Sequence, residues 1–183
     1  GPSLAGAELY YMPQREENHY IIDLKEIPEE VAQKAKFMIV SYPNNPTAVL
    51  APDCFYEELI AFAKKYDVVL LHDNAYSDIV FGGKKGKSFL SYPGAMEVGI
   101  EFYSLSKSYN MTGMRISFAL GNREIINMFK KVRSQIDYGI FLPIQKAAVA
   151  ALTGPQESVW EQCAEYERRN YALCRGLTKI GWE

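Results

Sequence analysis

Short apolar runs alternate along this chain with longer stretches of helical period, and that alternation restricts it to few architectures. A buried strand followed by an amphipathic crossover is the repeating unit of a mainly parallel sheet held between helices. Candidate strands fall at about 7–12, 36–42, 67–72, 99–105 and 115–120. Between the second and third, Phe55, Leu59, Phe62 and Tyr66 recur at helical spacing, which predicts an amphipathic helix with Pro52 suited to its first turn. The fifth run alternates bulky Ile116, Phe118 and Leu120 with small Ser117 and Ala119. Too few residues separate it from the fourth for a helical crossover, so it is expected to pair antiparallel or to join elsewhere. Asn122 is expected to cap a helix carrying Ile125, Met128, Phe129 and Val132. A further helix takes in Ile144 to Leu152 and ends at Thr153-Gly154-Pro155, and a long amphipathic segment follows from Val159 through Leu177. The expected class is therefore α/β, with three layers and a mainly parallel sheet carrying helices on both faces.

The 183 residues, 48% of them hydrophobic, suffice for one core. A net charge of −2 gives no electrostatic reason to expect nucleic acid or an anionic membrane as partner. No apolar run approaches the roughly 20 residues of a membrane span, and no secretory leader pattern opens the chain. Cys54, Cys163 and Cys174 lack the paired spacing of a zinc site. They are expected to be buried and reduced, so no metal is expected and the compartment is read as cytoplasmic. The chain lacks an initiating Met and stops straight after a helical pattern, so both ends read as cut.

Three strand-like runs each deliver a polar group at their end, where open α/β sheets bind ligands. Asn45 follows the second run, in Tyr42-Pro43-Asn44-Asn45-Pro46-Thr47, where the prolines hold Tyr42 and Asn45 extended. That loop is either a simple turn or a rigid mount for the Asn45 amide. Asp73 surfaces after Val68 to Leu71, a costly place for a carboxylate without a cation or strong donors, and Tyr76 follows it. Asp73 is a helix cap, a salt-bridge partner or the acceptor of a proton on a ligand ring. Lys107 arrives in the small-residue turn Ser104-Leu105-Ser106-Lys107-Ser108. It is either a solvated surface charge or a nucleophile, with Ser104, Ser106 and the planar fork of Arg115 as phosphate donors. Gly82-Gly83-Lys84-Lys85-Gly86-Lys87-Ser88 imitates a phosphate loop, but Phe81 stands where that pattern needs glycine, so a solvated basic loop is expected. Neither His19 nor His72 has a Ser or Cys in a nucleophile setting, which leaves a hydrolase triad without support.

Taken in order, Tyr42 to Thr47, Asp73-Asn74-Ala75-Tyr76, Ser104-Leu105-Ser106-Lys107 and Gly113-Met114-Arg115 resemble the motifs of fold-type I pyridoxal-phosphate aminotransferases. Within that family the chain is most similar to the LL-diaminopimelate aminotransferase branch, through Gly6 to Pro13, Gly99 to Phe102, Lys107 to Gly113 and Ala151 to Gln156. The resemblance implies the fold-type I large domain, in part, over residues 1–154, and over 155–183 a long helix leading to a small domain absent from this chain. It implies pyridoxal 5′-phosphate as cofactor, amino-acid and 2-oxo-acid substrates, and a homodimer in the full-length protein. Lys107 would form the Schiff base and shuttle the substrate proton, and Asp73 would pair with the pyridinium nitrogen. Asn45 and Tyr76 would meet the phenolate oxygen, while Ser104, Ser106 and Arg115 would hold the phosphate. It further implies a cis Asn45–Pro46 bond. In the family's strand order the 7–12 strand pairs outside this chain, so its edge is expected to be open. Other amino-acid aminotransferases and carbon–sulfur lyases share the same residue set, and an inert truncated domain is the remaining alternative. The fragment is expected to have little or no transaminase activity.

Overall fold

The computed structural model describes residues 1–182, and its centre is a four-stranded sheet in the order β1-β2-β3-β4. The strands are β1 (Phe37–Ser41), β2 (Val69–Asp73), β3 (Gly99–Ser104) and β4 (Ser117–Gly121). β1, β2 and β3 are parallel, and β4 runs antiparallel to β3 with Ser104 opposite Ser117 and Ile100 opposite Gly121. Among the described residues seven α-helices accompany them: α1 (Glu29–Lys34), α2 (Asp53–Tyr66), α3 (Ala95–Val98), α4 (Leu105–Ser108), α5 (Arg123–Arg133), α6 (Leu142–Thr153) and α7 (Glu157–Lys179).

Period-two alternation assigns the two faces of the sheet. Met38 and Val40 of β1, and Leu70 and His72 of β2, are buried on one face. There α2 covers them with Phe55, Tyr56, Leu59, Ile60 and Ala63. Pro52 stands at the cap of α2 and Asp67 closes it in the left-handed conformation, with φ 55°. The opposite face carries Ile39, Leu71, Asp73 and Phe102, and α5 reaches it where the Phe129 ring meets Phe102 edge-on at 5.7 Å. A smaller apolar cluster of Leu105, Ile116 and Ala148 fastens α6 to the segment after β3. The sheet is thus mixed, with helices on both sides, as the alternation predicts. Asn122 caps α5 as expected, its Oδ1 accepting from the Glu124 and Ile125 amides at 2.9 and 3.2 Å. Gly121 sits at φ 135°, where a Cβ would lie 2.5 Å from the Gly99 carbonyl oxygen, so β3 and β4 close together only over glycine there.

Three expectations need correction. Residues 7–12 form no strand: they run as irregular chain with Leu9, Tyr10 and Tyr11 exposed, because no strand lies beside them among the described residues to complete a ladder. The segment is instead anchored beyond its end, through Tyr42. That buried phenol accepts from the Ile22 amide at 2.9 Å and from Gln14 Nε2 at 3.1 Å, and donates to the Tyr20 carbonyl at 3.2 Å. The cysteines are not buried: Cys54 and Cys174 are exposed and Cys163 is half-buried. They sit on α2 and α7, where helical phase, not thiol apolarity, decides exposure. Finally, Arg115 precedes the last strand rather than opening it, since β4 begins at Ser117.

Leu70 is wholly enclosed, whereas Leu120 on β4 is 54% exposed. Leu70→Ala is expected to cost about 2–5 kcal/mol of unfolding free energy. Leu120→Ala is expected to cost within about 0.5 kcal/mol. Urea denaturation of the two variants measures the difference.

Candidate cofactor site

The carboxyl ends of β2 and β3 open into a cavity of about 430 Å³. Each wall follows from a strand ending. β2 ends on Asp73, whose side chain alternates to the face opposite α2 and is exposed into this space. β3 ends on Ser104, which turns the chain into α4 by accepting the Ser106 amide at 3.2 Å, and α4 carries Lys107 in its only turn. The return to β4 then supplies Thr112, Arg115 and Ser117. Thr112 Oγ1 donates to the Ser106 carbonyl at 2.9 Å, and Arg115, at φ 53°, donates from its guanidinium to the Thr112 carbonyl at 3.2 Å.

Of the residues singled out by sequence, Asp73, Ser104, Ser106, Lys107 and Arg115 line this one cavity. Tyr76 stands at its margin: Lys107 Nζ lies 5.7 Å from the Tyr76 ring centroid, within cation–π range. Asn45 is exposed on the loop after β1 and does not line the cavity. Its peptide bond to Pro46 is cis, as the resemblance implied, and the Tyr42–Pro43 bond is cis as well. The Gly82 to Ser88 stretch forms no phosphate cradle. Gly82 and Gly83 turn at positive φ, Lys87 Nζ meets Asp53 at 2.6 Å, and the Gly82 amide donates to Glu167 on α7 at 2.8 Å.

Three features lie beyond the sequence expectations. Thr112 and Tyr103 line the cavity, although nothing in their local spacing marks them. Asp78 accepts from the Ser108 hydroxyl at 2.6 Å and from the Tyr103 phenol. The third is a buried polar network directly beneath Asp73. His72 Nδ1 lies 3.0 Å from Glu101 Oε2, and the same carboxylate accepts from Ser88 Oγ at 2.9 Å and the Phe89 amide at 2.7 Å. Burial pushes the Glu101 carboxyl upward, but hydrogen bonds from His72, Asn74 and Ser88 outweigh it and leave the group below its ordinary value. The Asn74 Oδ1 atom, on the other side of Asp73 in sequence, is buried without a partner. Strand alternation is the available signal for this network: it turns His72 inward wherever Asp73 turns outward.

An amine, a carboxylate, a guanidinium and five hydroxyls, those of Tyr103, Ser104, Ser106, Thr112 and Ser117, therefore share one cavity at the ends of parallel strands. That donor set fits a small anionic aromatic aldehyde: hydroxyls and guanidinium for phosphate, carboxylate for a protonated ring nitrogen, amine for the carbonyl carbon. Among the described residues no group of His, Cys, Asp or Glu is arranged to hold a metal ion, and no helix is long and apolar enough to cross a membrane.

Sheet order, strand-end lysine and carboxylate together define an α/β fold with a polar cavity at the carboxyl ends of its parallel strands. The chain belongs to the aminotransferase class I and II family, whose model matches residues 2–183. It is 47% identical over 180 residues to an LL-diaminopimelate aminotransferase of Halothermothrix orenii, covering 98% of this chain and 46% of that protein. A Moorella thermoacetica protein of the same name is 46% identical over 182 residues, 47% of its length. Among solved structures, substrate-bound BacF of Bacillus subtilis superimposes with a TM-score of 0.93 at 41% identity, over 99% of this chain and 46% of that one. A probable N-succinyldiaminopimelate aminotransferase of Thermus thermophilus does so with a TM-score of 0.90 at 36% identity, over 97% and 47%. The chain thus spans about half the length of the curated relatives it matches.

Because the folded Glu101 carboxyl titrates below its unfolded counterpart, its contribution to stability is present above the unfolded value of about 4.3 and is lost as pH falls through the lower folded value. Urea midpoints of the unmodified chain measured from neutral to acid pH are expected to fall more steeply below about pH 4.3 than those of Glu101→Gln. Parallel curves for the two proteins would remove Glu101 from this role.

Proposed function

We propose that this chain forms the pyridoxal 5′-phosphate-binding part of an aminotransferase that moves an amino group between LL-diaminopimelate and 2-oxoglutarate in lysine biosynthesis. The observation that carries the reading is the convergence of Asp73, Ser104, Ser106, Lys107 and Arg115 on one cavity. Likeness to the two LL-diaminopimelate aminotransferases supports the choice of substrate.

When bound, pyridoxal phosphate supplies an aldehyde that condenses with a primary amine, releasing one water, and a ring that takes up the electron pair left when a substrate C–H bond breaks. Lys107 is the amine on the protein side. Its Nζ would also be the base that takes up and returns the proton of the substrate α-carbon. Asp73 would hold a proton on the ring nitrogen. Tyr76, at the cavity margin, would offer a phenol to the ring oxygen, and Asn45, which lies outside the cavity, would add its amide only if its loop turned inward. Ser104 and Ser106 would donate hydroxyls, and Arg115 a planar pair of N–H groups, to the phosphate. Residues 1–154 would form part of the cofactor-binding domain, and 155–183, with α7 (Glu157–Lys179), a helix leading toward a further one. We further propose that the whole protein is a homodimeric, cytoplasmic enzyme, as the family resemblance implies.

The test is to incubate the 183-residue chain with pyridoxal phosphate, reduce with borohydride and map the modified peptide. The label is expected on Lys107 and is expected to vanish in Lys107→Ala; a label spread evenly over surface lysines would overturn the assignment. Amino transfer by the same chain is expected to be slight, and robust turnover would show that groups gripping the substrate lie within it.

A further inference from the structure

Lys107 sits in a helix of four residues, too short to hold its own position. What fixes it comes from two places outside the cofactor-facing set. On one side Ser108, the next residue and 1% exposed, donates its hydroxyl to Asp78 Oδ2 at 2.6 Å. The Tyr103 phenol on β3 donates to the same oxygen and lies 3.3 Å from Ser108 Oγ. Burial, and then the Asp78 carboxylate, push the Tyr103 hydroxyl to titrate higher, so it remains a donor throughout the ordinary pH range. On the other side Gln162 of α7 donates its Nε2 to the main-chain carbonyl of Lys107 itself at 2.7 Å.

Asp78 belongs to the loop that follows Asp73, the last residue of β2, and also carries Tyr76, so its bonds tie the lysine turn to the ring-facing carboxylate and phenol. α7 is tied in turn to that loop, through Cys163 Sγ on the Val80 carbonyl at 3.4 Å and Glu167 on the Gly82 amide at 2.8 Å. Tyr109 adds a bond from the lysine segment to Gln156 at 2.7 Å. The Asp73 loop, the Lys107 turn and α7 therefore close a triangle, with Asp78 and Gln162 as its two joints at the lysine.

We propose that Asp78 and Gln162 are positioning residues that clamp the Lys107 turn from opposite sides and set its amine against Asp73 and Tyr76. Neither touches the cofactor cavity: both act through Lys107 and its neighbours. This role rests on the assignment of Lys107 as the amine that takes the cofactor. Hydrogen bonds to a charged acceptor or buried carbonyl hold a turn in one arrangement among several that its short helix permits. Gln162 also borders an open cavity of about 640 Å³ behind the turn, so an apolar side chain of the same length fits there without overpacking.

The test uses Asp78→Ala, Asp78→Asn and Gln162→Met in the full 183-residue chain, each checked by circular dichroism for an unchanged folded fraction. Hydrogen exchange of the cofactor-free proteins is expected to speed about tenfold in the peptide spanning 104–112 for Asp78→Ala and Gln162→Met, and to remain unchanged in α2. Asp78→Asn, which keeps an acceptor oxygen, is expected to lie between. Borohydride trapping of pyridoxal phosphate on Lys107 at limiting cofactor is expected to fall in the same order. Equal exchange at 104–112 in all variants would overturn the clamp, as would full trapping in Asp78→Ala and Gln162→Met. Failure of the unmodified chain to trap cofactor would instead overturn the assignment of Lys107, leaving the exchange measurement to judge the clamp.

Discussion

The contact between His72 and Glu101 sets the relation of β2 to β3 on which every wall of the cavity depends. Both groups lie on the α2 face, directly opposite each other in the parallel register, with Val40 beyond. A carboxylate in that position is tolerated only while its donors are in place, since removing one partner of a buried pair leaves the other unsatisfied. A slip of one residue would turn His72 into the cavity and bury Asp73 against α2. The polar network under the sheet thus guards the register, and the register aims Asp73. Functional and structural side chains alternate along the same strand, and neither set can be altered without the other.

The cavity is assembled from strand ends rather than from one continuous motif. β2 contributes a carboxylate, β3 the serine that starts the lysine turn, and the return toward β4 the guanidinium and Thr112. Two parallel strands bring their carboxyl ends to the same edge, which is where groups distant in sequence can meet. The antiparallel β4 brings Ser117 back opposite Ser104, so a second set of groups reaches that edge without a crossover helix.

Local periodicity makes much of this legible. The three parallel strands, α2 and the Asn122 cap are each specified by neighbours within a turn or two, and so are the residues at strand ends. Other features depend on partners remote in sequence. Residues 7–12 have the composition of a strand, but a strand exists only through pairing, and composition does not name the partner. His72 meets Glu101 across 29 residues, and Asp78 meets Ser108 across 30, so by sequence neither acid is distinguishable from a solvated one. Asn45 belongs to a stiff loop whose shape is legible, whereas the direction its amide takes depends on what packs beside it. The cysteines depart from expectation because helical phase outranks residue type.

The base of the lysine segment is closed by the pairing of Ser104 with Ser117, so the residues between leave the sheet and rejoin it at one rung. Changes in the length of a loop closed in this way cost only logarithmically in entropy and need not disturb the strands beneath. The segment from Leu105 to Ile116 is nevertheless held more tightly than that entropy requires, since Leu105 and Ile116 at its two ends pack into one apolar cluster with Ala148 of α6, so its length is set by α6 as well as by the closing rung.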